Sequence, residues 1–450
     1  MKMKHLFLLG TGILSVLASN LSAQESEVSA LSSAVETLQS DNDVAKRLKI
    51  SGYVQAQYQV ADTAGVSSMA GGNFGTGIDN RFSVRRGRVK VAYTYENALA
   101  VMQFDITEKG LGIKDAYLSL TEPWLNALTL TGGVFNRPFG YEIEYSSSSR
   151  ETPERSRMFQ TLFPGERDLG AKLTLQAPKT SNWNFLKLDL GLLCGNGTNV
   201  ETDNYKDFVA HLTANKVSKD ERLKWGIGAS YYNGGFAATT NRLYTTQTVS
   251  GIKAFVPETV NKNDKLKREY VGLEGQIGYD WALGITQVKA EYLTGTQPAT
   301  ASSSSSLTAA NVSSTSTADI TTGKVTTSNV GVDAYSRTFS GYYVYLIQDI
   351  LQSPFQAVVK YDVYDPNTHV AGNQIGTTPL TGIATGATDI KYATLGVGLN
   401  YRFNSNVKIM AYYDMVKNET TTNIKKASTL ADLSADRKDN VFTLRVQYKF

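Results

Sequence analysis

Basic side chains at alternate positions are the first chemically distinctive feature of the sequence. In RRGRVKVAYTY (85–95), Arg86, Arg88 and Lys90 are separated by one residue each, and the alternate positions 87, 89, 91, 93 and 95 are glycine, valine or tyrosine. Successive side chains of a β-strand point to opposite faces, so a strand here carries three cations on one face and apolar groups on the other. Guanidinium groups offer paired donors that match the oxygens of an oxyanion, so this face is suited to binding anions.

A second group of basic residues follows in RPFGYEIEYSSSSRETPERSRMFQTLFPGER (137–167) and in the next strand, AKLTLQA. It comprises Arg150, Arg155, Arg157, Arg167 and Lys172. If this long connection folds into a pore, its arginines lie at the narrowest point, where rings of Arg and Lys select anions. The alternative is that Glu151, Glu154 and Glu166 pair with the arginines at the surface, without any substrate.

Composition indicates an all-β protein and excludes several classes of partner. The chain of 450 residues has a net charge of only +4, so a nucleic-acid partner is not expected. It contains 25 Tyr and 38 Gly but only 10 Pro, as strands joined by turns require. The single cysteine, Cys194, excludes an intrachain disulfide framework and a cysteine-rich metal site. We therefore expect neither a metal nor a cofactor.

The first residues differ from the rest. MKMKHLFLLGTGILSVLASNLSA (1–23) has a basic start, an apolar run and a small residue at its end, which predicts a cleaved secretory signal peptide.

In residues 24–48, the apolar residues Val28, Leu31, Val35 and Leu38 are three or four positions apart. This spacing predicts a short periplasmic helical segment, either a coiled coil that joins several chains, a single amphipathic helix or a frayed linker. After the leader no apolar run is long enough for a membrane helix, so a membrane would be crossed by strands.

From residue 49 to 450 the sequence predicts sixteen strands, at 49–60, 81–95, 98–107, 113–121, 127–136, 168–177, 184–194, 205–216, 222–232, 269–281, 285–296, 334–349, 354–364, 390–403, 406–416 and 440–450. Their connections alternate between long and short, with 108–112 as the exception. The Ser/Thr-rich stretch 300–329 reads as a flexible surface loop.

This arrangement predicts a 16-stranded antiparallel transmembrane β-barrel with short periplasmic turns and long extracellular loops. Closure is required because the edges of an open sheet would leave N–H and C=O groups unpaired in lipid. Sixteen strands enclose a lumen too wide for wall side chains to fill, so we expect it to hold water. Placing Arg86, Arg88 and Lys90 against lipid would cost roughly 2–4 kcal/mol each near the midplane, so they should face the lumen.

Three stretches resemble the phosphate-selective porin O and P family: RFSVRRGRVKVAYTYENALAVMQFDITEKGLGIKDAYLSL (81–120), GGVFNRPFGYE (132–142) and ERSRMFQTLFPGERDLGAKL (154–173). The resemblance implies a homotrimer in the outer membrane of a Gram-negative bacterium that passes phosphate or other small anions along a basic ladder. Arg86, Arg88 and Lys90 are the ladder candidates. The final aromatic residue, Phe450, is implied to be read by the outer-membrane assembly machinery.

Three alternatives remain open from the sequence. A general diffusion porin would show no anion preference, and a surface adhesin or structural barrel would not conduct. A membrane-embedded enzyme would need a serine, a histidine and an acid together. His211 is the only histidine predicted inside the barrel, and no serine motif surrounds it, so we do not expect an enzyme.

Overall fold

The structure, a computed structural model, describes residues 46–305, 313–318 and 325–450, together with Ser33. Sixteen antiparallel strands follow one another around a closed barrel, since β1 pairs with both β2 and β16. They are β1 Leu48–Ala61, β2 Asn80–Tyr95, β3 Ala98–Thr107, β4 Gly110–Thr121, β5 Leu128–Asn136, β6 Arg167–Gln176, β7 Leu186–Leu193, β8 Asp207–Val217, β9 Leu223–Ala237, β10 Lys265–Trp281, β11 Gly284–Ala299, β12 Ala334–Asp349, β13 Phe355–Asp365, β14 Tyr392–Arg402, β15 Val407–Asn418 and β16 Val441–Lys449.

The predicted fold class is therefore confirmed for the barrel. The leader 1–23 lies outside the described residues, as does the helical segment 24–48 except for Ser33 and residues 46–48. Residues 46 and 47 are helical, and Leu48 begins β1. No helix in the described ranges is long and apolar enough to cross a membrane.

The seam between the first and last strands is held by backbone hydrogen bonds to the last residue. Phe450 donates its N–H to the Gly52 carbonyl over 3.0 Å, and Gly52 donates to the Phe450 carbonyl over 2.9 Å. A Cβ at Gly52 would collide with the Arg88 carbonyl oxygen and come within 2.6 Å of the Phe450 ring. Glycine is needed at this position because two neighbouring strands and the terminal ring approach it closely.

Side chains alternate around the barrel between an apolar outer face and a polar inner face. In β16, Leu444 and Val446 are exposed on the outside, whereas Thr443, Arg445 and Gln447 are buried inside. Arg86 and Arg88 lie on the inner face, as the sequence predicts. An outer surface of exposed leucine, isoleucine and valine is that of a barrel surrounded by lipid.

Three connections differ from the sequence-based expectation. The connection after β3 is a two-residue turn, 108–109, because β4 begins at Gly110 rather than at residue 113. Strands β9 and β10 are longer than predicted, and the chain between them forms a hairpin, Arg242–Val249 with Ile252–Thr259. The Ser/Thr-rich connection also contains a hairpin, Ser313–Ala318 with Val325–Val330. Both hairpins contain Thr and Val residues, which favour strands and which the sequence-based prediction of loops did not weigh.

A charge on the outer face should destabilise the barrel, whereas the same charge on the inner face should not. We expect Leu273→Arg, on the outer face of β10, to lower the free energy of unfolding from lipid vesicles by about 2–4 kcal/mol. Gln276→Arg is the matched control, since Gln276 lies on the same strand and lines an interior cavity. Urea titrations followed by tryptophan fluorescence measure both. Equal losses in the two variants would contradict the assigned faces.

Candidate functional site

The connection between β5 and β6 (residues 137–166, here called the inner loop) folds into the lumen. It contains two short helices, α1 Tyr141–Glu144 and α2 Arg157–Leu162. The Glu291 carboxylate of β11 accepts hydrogen bonds from the backbone N–H groups of Tyr141 over 2.9 Å and Glu142 over 3.0 Å. Gly140, at φ 65°, allows this approach, because a Cβ there would collide with the Glu291 carboxylate. The barrel wall thus fixes the start of the inner loop.

Aromatic side chains bury the middle of the inner loop against the wall. Phe139 and Phe163 have ring centroids 5.0 Å apart, and both pack edge-on to Tyr270 of β10. Phe159 and Met158 belong to the same buried cluster. At this level the inner loop occupies part of the lumen and supplies apolar volume that wall side chains lack.

A β-bulge in β2 places an extra arginine on the inner face. Gln55 of β1 lies opposite Arg86, but the next residue, Ala56, lies opposite Val84, so Arg85 is the inserted residue. A bulge places two consecutive residues opposite one, which interrupts the strict alternation of faces. Arg85 and Arg86 both reach the inner loop as a result. The strict alternation of side chains assumed from the sequence did not place Arg85 on the inner face.

Glu154 of the inner loop is shared by three arginines of the wall. Arg85 contacts it through two bonds of 2.7 Å, Arg86 lies at 3.3 Å and Arg445 at 3.0 Å. Burial alone would raise the pKa of the Glu154 carboxyl, but the charges of Arg85, Arg86 and Arg445 outweigh it and hold the pKa well below its usual value. Glu154 is therefore ionised, and this cluster carries two more positive than negative charges.

Glu166, at the end of the inner loop, forms a second shared carboxylate. Arg155 and Arg167 both bind it, and the Lys114 ammonium lies 3.6 Å away. Arg167 also binds Asp115 of β4 over 2.9 Å. Burial would raise the pKa of Glu166, but the three cations hold it well below its usual value. Of the three acids that alternate with the arginines in sequence, Glu166 thus pairs with two of those arginines, inside the barrel rather than at its surface. The other two, Glu151 and Glu154, pair instead with cations of the barrel wall.

The remaining predicted residues are distributed along the interior. Arg88 lies 3.3 Å from Asp105 and donates to the Ser147 hydroxyl over 3.0 Å. Lys90 follows on the same face and is half-buried. The Arg157 guanidinium stacks 3.8 Å above the Tyr392 ring. The Lys172 ammonium lies 3.7 Å from Asp189.

Arg150 is the exception to this pairing. Its side chain is 1% exposed, yet among the described residues none accepts a hydrogen bond from its three guanidinium nitrogens. The Lys408 ammonium donates to its backbone carbonyl over 2.8 Å, which adds a second cation nearby. Burial lowers the pKa of Arg155 to about 10, and the charge of Arg150 acts in the same direction. A buried guanidinium without an acceptor has an unmet capacity to bind an anion.

Water-accessible space lies between the inner loop and strands β2–β4. One cavity of about 270 Å³ has five basic lining residues, Arg85, Arg86, Arg88, Lys114 and Arg155, and three acidic ones, Asp105, Glu154 and Glu166. A cavity of about 610 Å³ shares several of these residues, so the two spaces adjoin. The lining therefore has a net positive charge. Five basic and three acidic residues give a charge excess of two, and most of the cations are paired with an acid.

His211 lies inside the barrel, as predicted. Its ring has Glu274 Oε1 at 3.2 Å from Nε2 and Glu144 Oε1 at 3.9 Å from Nδ1. The groups nearest its two ring nitrogens are thus carboxylates. Ser230 of β9 lies opposite His211 in the register, and its hydroxyl accepts a hydrogen bond from the Gly140 N–H over 2.9 Å.

Comparison with known proteins shows similarity in structure alone. No protein-family model matches the chain, and no curated protein matches it either. Among solved structures, the chain is similar to the anion-selective porin from Comamonas acidovorans, with 10% identity, a TM-score of 0.49 and coverage of 90% of this chain and 99% of that chain. The channel DcaP of Acinetobacter baumannii has 11% identity, a TM-score of 0.49 and coverage of 90% and 97%. OmpF of Salmonella typhi has 14% identity, a TM-score of 0.48 and coverage of 90% and 97%.

Neutralising Glu154 should make the interior more positive and the protein less stable. Glu154→Gln leaves Arg85, Arg86 and Arg445 without their shared charge, so we expect a lower unfolding temperature and a stronger anion preference in a salt-gradient reversal-potential measurement. Glu258→Gln, an exposed residue of the loop hairpin, removes the same charge outside the lumen and is the control.

The protonation state of Glu154 gives a further test on the unmodified protein. Because its pKa is lowered, the stabilising charge is present above the ordinary glutamate pKa and is lost only as pH falls through the lower folded value. We therefore expect the Glu154-dependent part of stability, measured as the melting difference between wild type and Glu154→Gln, to be unchanged from pH 7 to about pH 5. A difference that disappears within this interval would contradict the shared-carboxylate arrangement.

Proposed function

We propose that this protein is a diffusion channel of the Gram-negative outer membrane that favours small anions, phosphate or polyphosphate among them. The observation that carries the proposal is the positive excess of the cavity lining. Arg150, buried elsewhere in the inner loop, adds a guanidinium without an acceptor among the described residues. A lining of one predominant sign, surrounded by a low-dielectric wall, concentrates counter-ions. Enclosed rings of Arg and Lys favour anions by this effect.

The membrane location follows from the two faces of the barrel. The exposed apolar outer surface suits acyl chains, and reversing the faces would place several arginines in lipid at roughly 2–4 kcal/mol each. Export is consistent with the predicted signal peptide. The sequence resemblance to phosphate-selective porins supports a homotrimer and recognition of Phe450 by the outer-membrane assembly machinery.

Arg150 gives the passage an attractive site that does not require an ion pair to be broken. The guanidinium of Arg86 or Arg88 already contacts a carboxylate, so an anion there must compete with Glu154 or Asp105. An anion at Arg150 gains charged hydrogen bonds that have no existing competitor among the described groups. Conduction also requires that the anion leave again, and the neighbouring acids limit how strongly it is held. We therefore assign anion binding to Arg150, with the predicted ladder Arg86, Arg88 and Lys90 providing the surrounding field.

A general diffusion porin is the second candidate, and the extent of charge pairing favours it. Arg155, Arg167 and Lys172 each lie within ion-pair distance of a carboxylate, and Arg85, Arg86 and Arg88 do as well. Paired charges produce a weaker field than isolated ones. A channel that favours phosphate would bind it in the passage at phosphate concentrations below that of the bulk salt. A general diffusion porin would not.

Removing the Arg150 charge should reduce anion preference. In planar bilayers with a KCl gradient, we expect the wild-type reversal potential to lie on the chloride side of zero and that of Arg150→Gln to move toward potassium. A charged hydrogen bond contributes about 1.5–3 kcal/mol, so block of the chloride current by phosphate should weaken about tenfold or more.

Arg242→Gln, an exposed arginine of the loop hairpin, makes the same change in charge outside the lumen and should leave both quantities unaltered. A wild-type channel that conducts without chloride preference and without phosphate block would contradict the anion-favouring function and support the general diffusion porin. A barrel that does not conduct would support the structural or adhesive alternative.

A further inference from the structure

A cluster of three potential metal ligands joins the inner loop to the barrel wall. Glu144 ends α1, whereas Asp189 of β7 and His211 of β8 lie directly opposite each other in the register. One ligand atom from each residue lies within 4.8 Å of the others. Asp189 and His211 are buried, and Glu144 is half-buried. The proposed anion passage does not use this cluster.

The histidine ring is oriented for metal binding by a fourth residue. Glu274 Oε1 lies 3.2 Å from His211 Nε2, and a carboxylate accepts hydrogen bonds, so Nε2 carries the proton. Nδ1 is then the ring nitrogen left to bind a metal, and Glu144 Oε1 lies 3.9 Å from it. His211 is 2% exposed, and among the described residues Nδ1 has no hydrogen-bond partner. A carboxylate behind a ligating imidazole is the usual outer partner of a metal-bound histidine.

This ligand set suits a divalent transition metal better than calcium or magnesium. One imidazole nitrogen with two carboxylate oxygens is a ligand combination that zinc accepts, with water in the fourth position. Tetrahedral ligands about 2.0 Å from zinc lie about 3.3 Å apart, so the ligands must approach by roughly an ångström. Glu144 can supply that movement because its side chain is 31% exposed on a short loop helix.

The Lys187 side chain lies beside the carboxylates of both Glu144 and Asp189. The Lys187 ammonium is 2.6 Å from Asp189 Oδ2 and 3.5 Å from Glu144 Oε2, and Lys172 lies 3.7 Å from Asp189. Thr174 also donates to Asp189. The pocket thus already attracts cations, and a metal must displace the Lys187 ammonium. Its side chain is 26% exposed and long enough to move into the lumen.

We propose that Glu144, Asp189 and His211 form a zinc site that fastens the inner loop to strands β7 and β8. Because one ligand comes from the loop and two come from the wall, bound metal links elements that are otherwise joined by side-chain contacts. Metal bound to the folded state alone also stabilises it, by an amount that grows with metal concentration. The inner loop would then be held more firmly in the lumen when zinc is present.

Isothermal titration of the full chain in detergent with zinc chloride, after chelator treatment, tests the site. We expect one saturable zinc site per chain and a higher unfolding temperature with zinc. His211→Ala and Glu144→Gln should each weaken zinc binding at least tenfold and abolish the thermal shift. Lys187→Met, which removes the competing ammonium, should tighten binding. Cobalt(II) should give visible absorption bands in the wild type that are lost in both ligand variants.

His369→Ala is the control, because His369 is the other histidine in the described ranges and is exposed in a loop. It should bind zinc as the wild type does. Circular dichroism and heat-modified gel mobility establish that each variant is folded. The absence of a saturable wild-type site, or unchanged binding in folded Glu144→Gln and His211→Ala, would overturn the proposal. The measurement uses no current, so its result is independent of anion conduction.

Discussion

The complete hydrogen bonding of the backbone around a closed sheet is the constraint on which the rest of this structure depends. In lipid an unpaired strand edge has no water to bind, so β1 must meet β16, and Phe450 must reach Gly52. Once the circle is closed, every strand has an inside and an outside. The alternation of side chains then determines which residues face lipid and which face the lumen.

Closure also creates the interior that the inner loop occupies. The loop carries its own apolar residues, Phe139, Phe159 and Phe163, and the wall offers tyrosines whose rings pack with them. Its polar backbone is satisfied by wall carboxylates, as when Glu291 binds the N–H groups that begin α1. A loop inside a barrel is stable for the same reasons as a core: apolar contact is gained and buried polar groups find partners.

The charges of the interior follow the same rule, that a buried polar group needs a partner. Burying an arginine beside a carboxylate limits the desolvation penalty, and Glu154 and Glu166 each serve several cations. Because cations outnumber carboxylates there, the pairing leaves a positive remainder rather than neutrality. Arg150 lies near three further cations, Lys408, Arg445 and Arg155. The interior is consequently both closely packed and positively charged.

The sequence by itself determined the strands, their order around a barrel and the inward direction of Arg86 and Arg88, because side-chain alternation is a local property of each strand. It also indicated that the long connection after β5 is special, from its density of arginines. Only the tertiary structure decided that Arg85 faces inward, because a bulge depends on the partner strand. The tertiary structure likewise decided which acids neutralise which arginines, and that Asp189 lies beside His211. These contacts join residues far apart in the chain, and their distances are set by closure and packing, which no local pattern records.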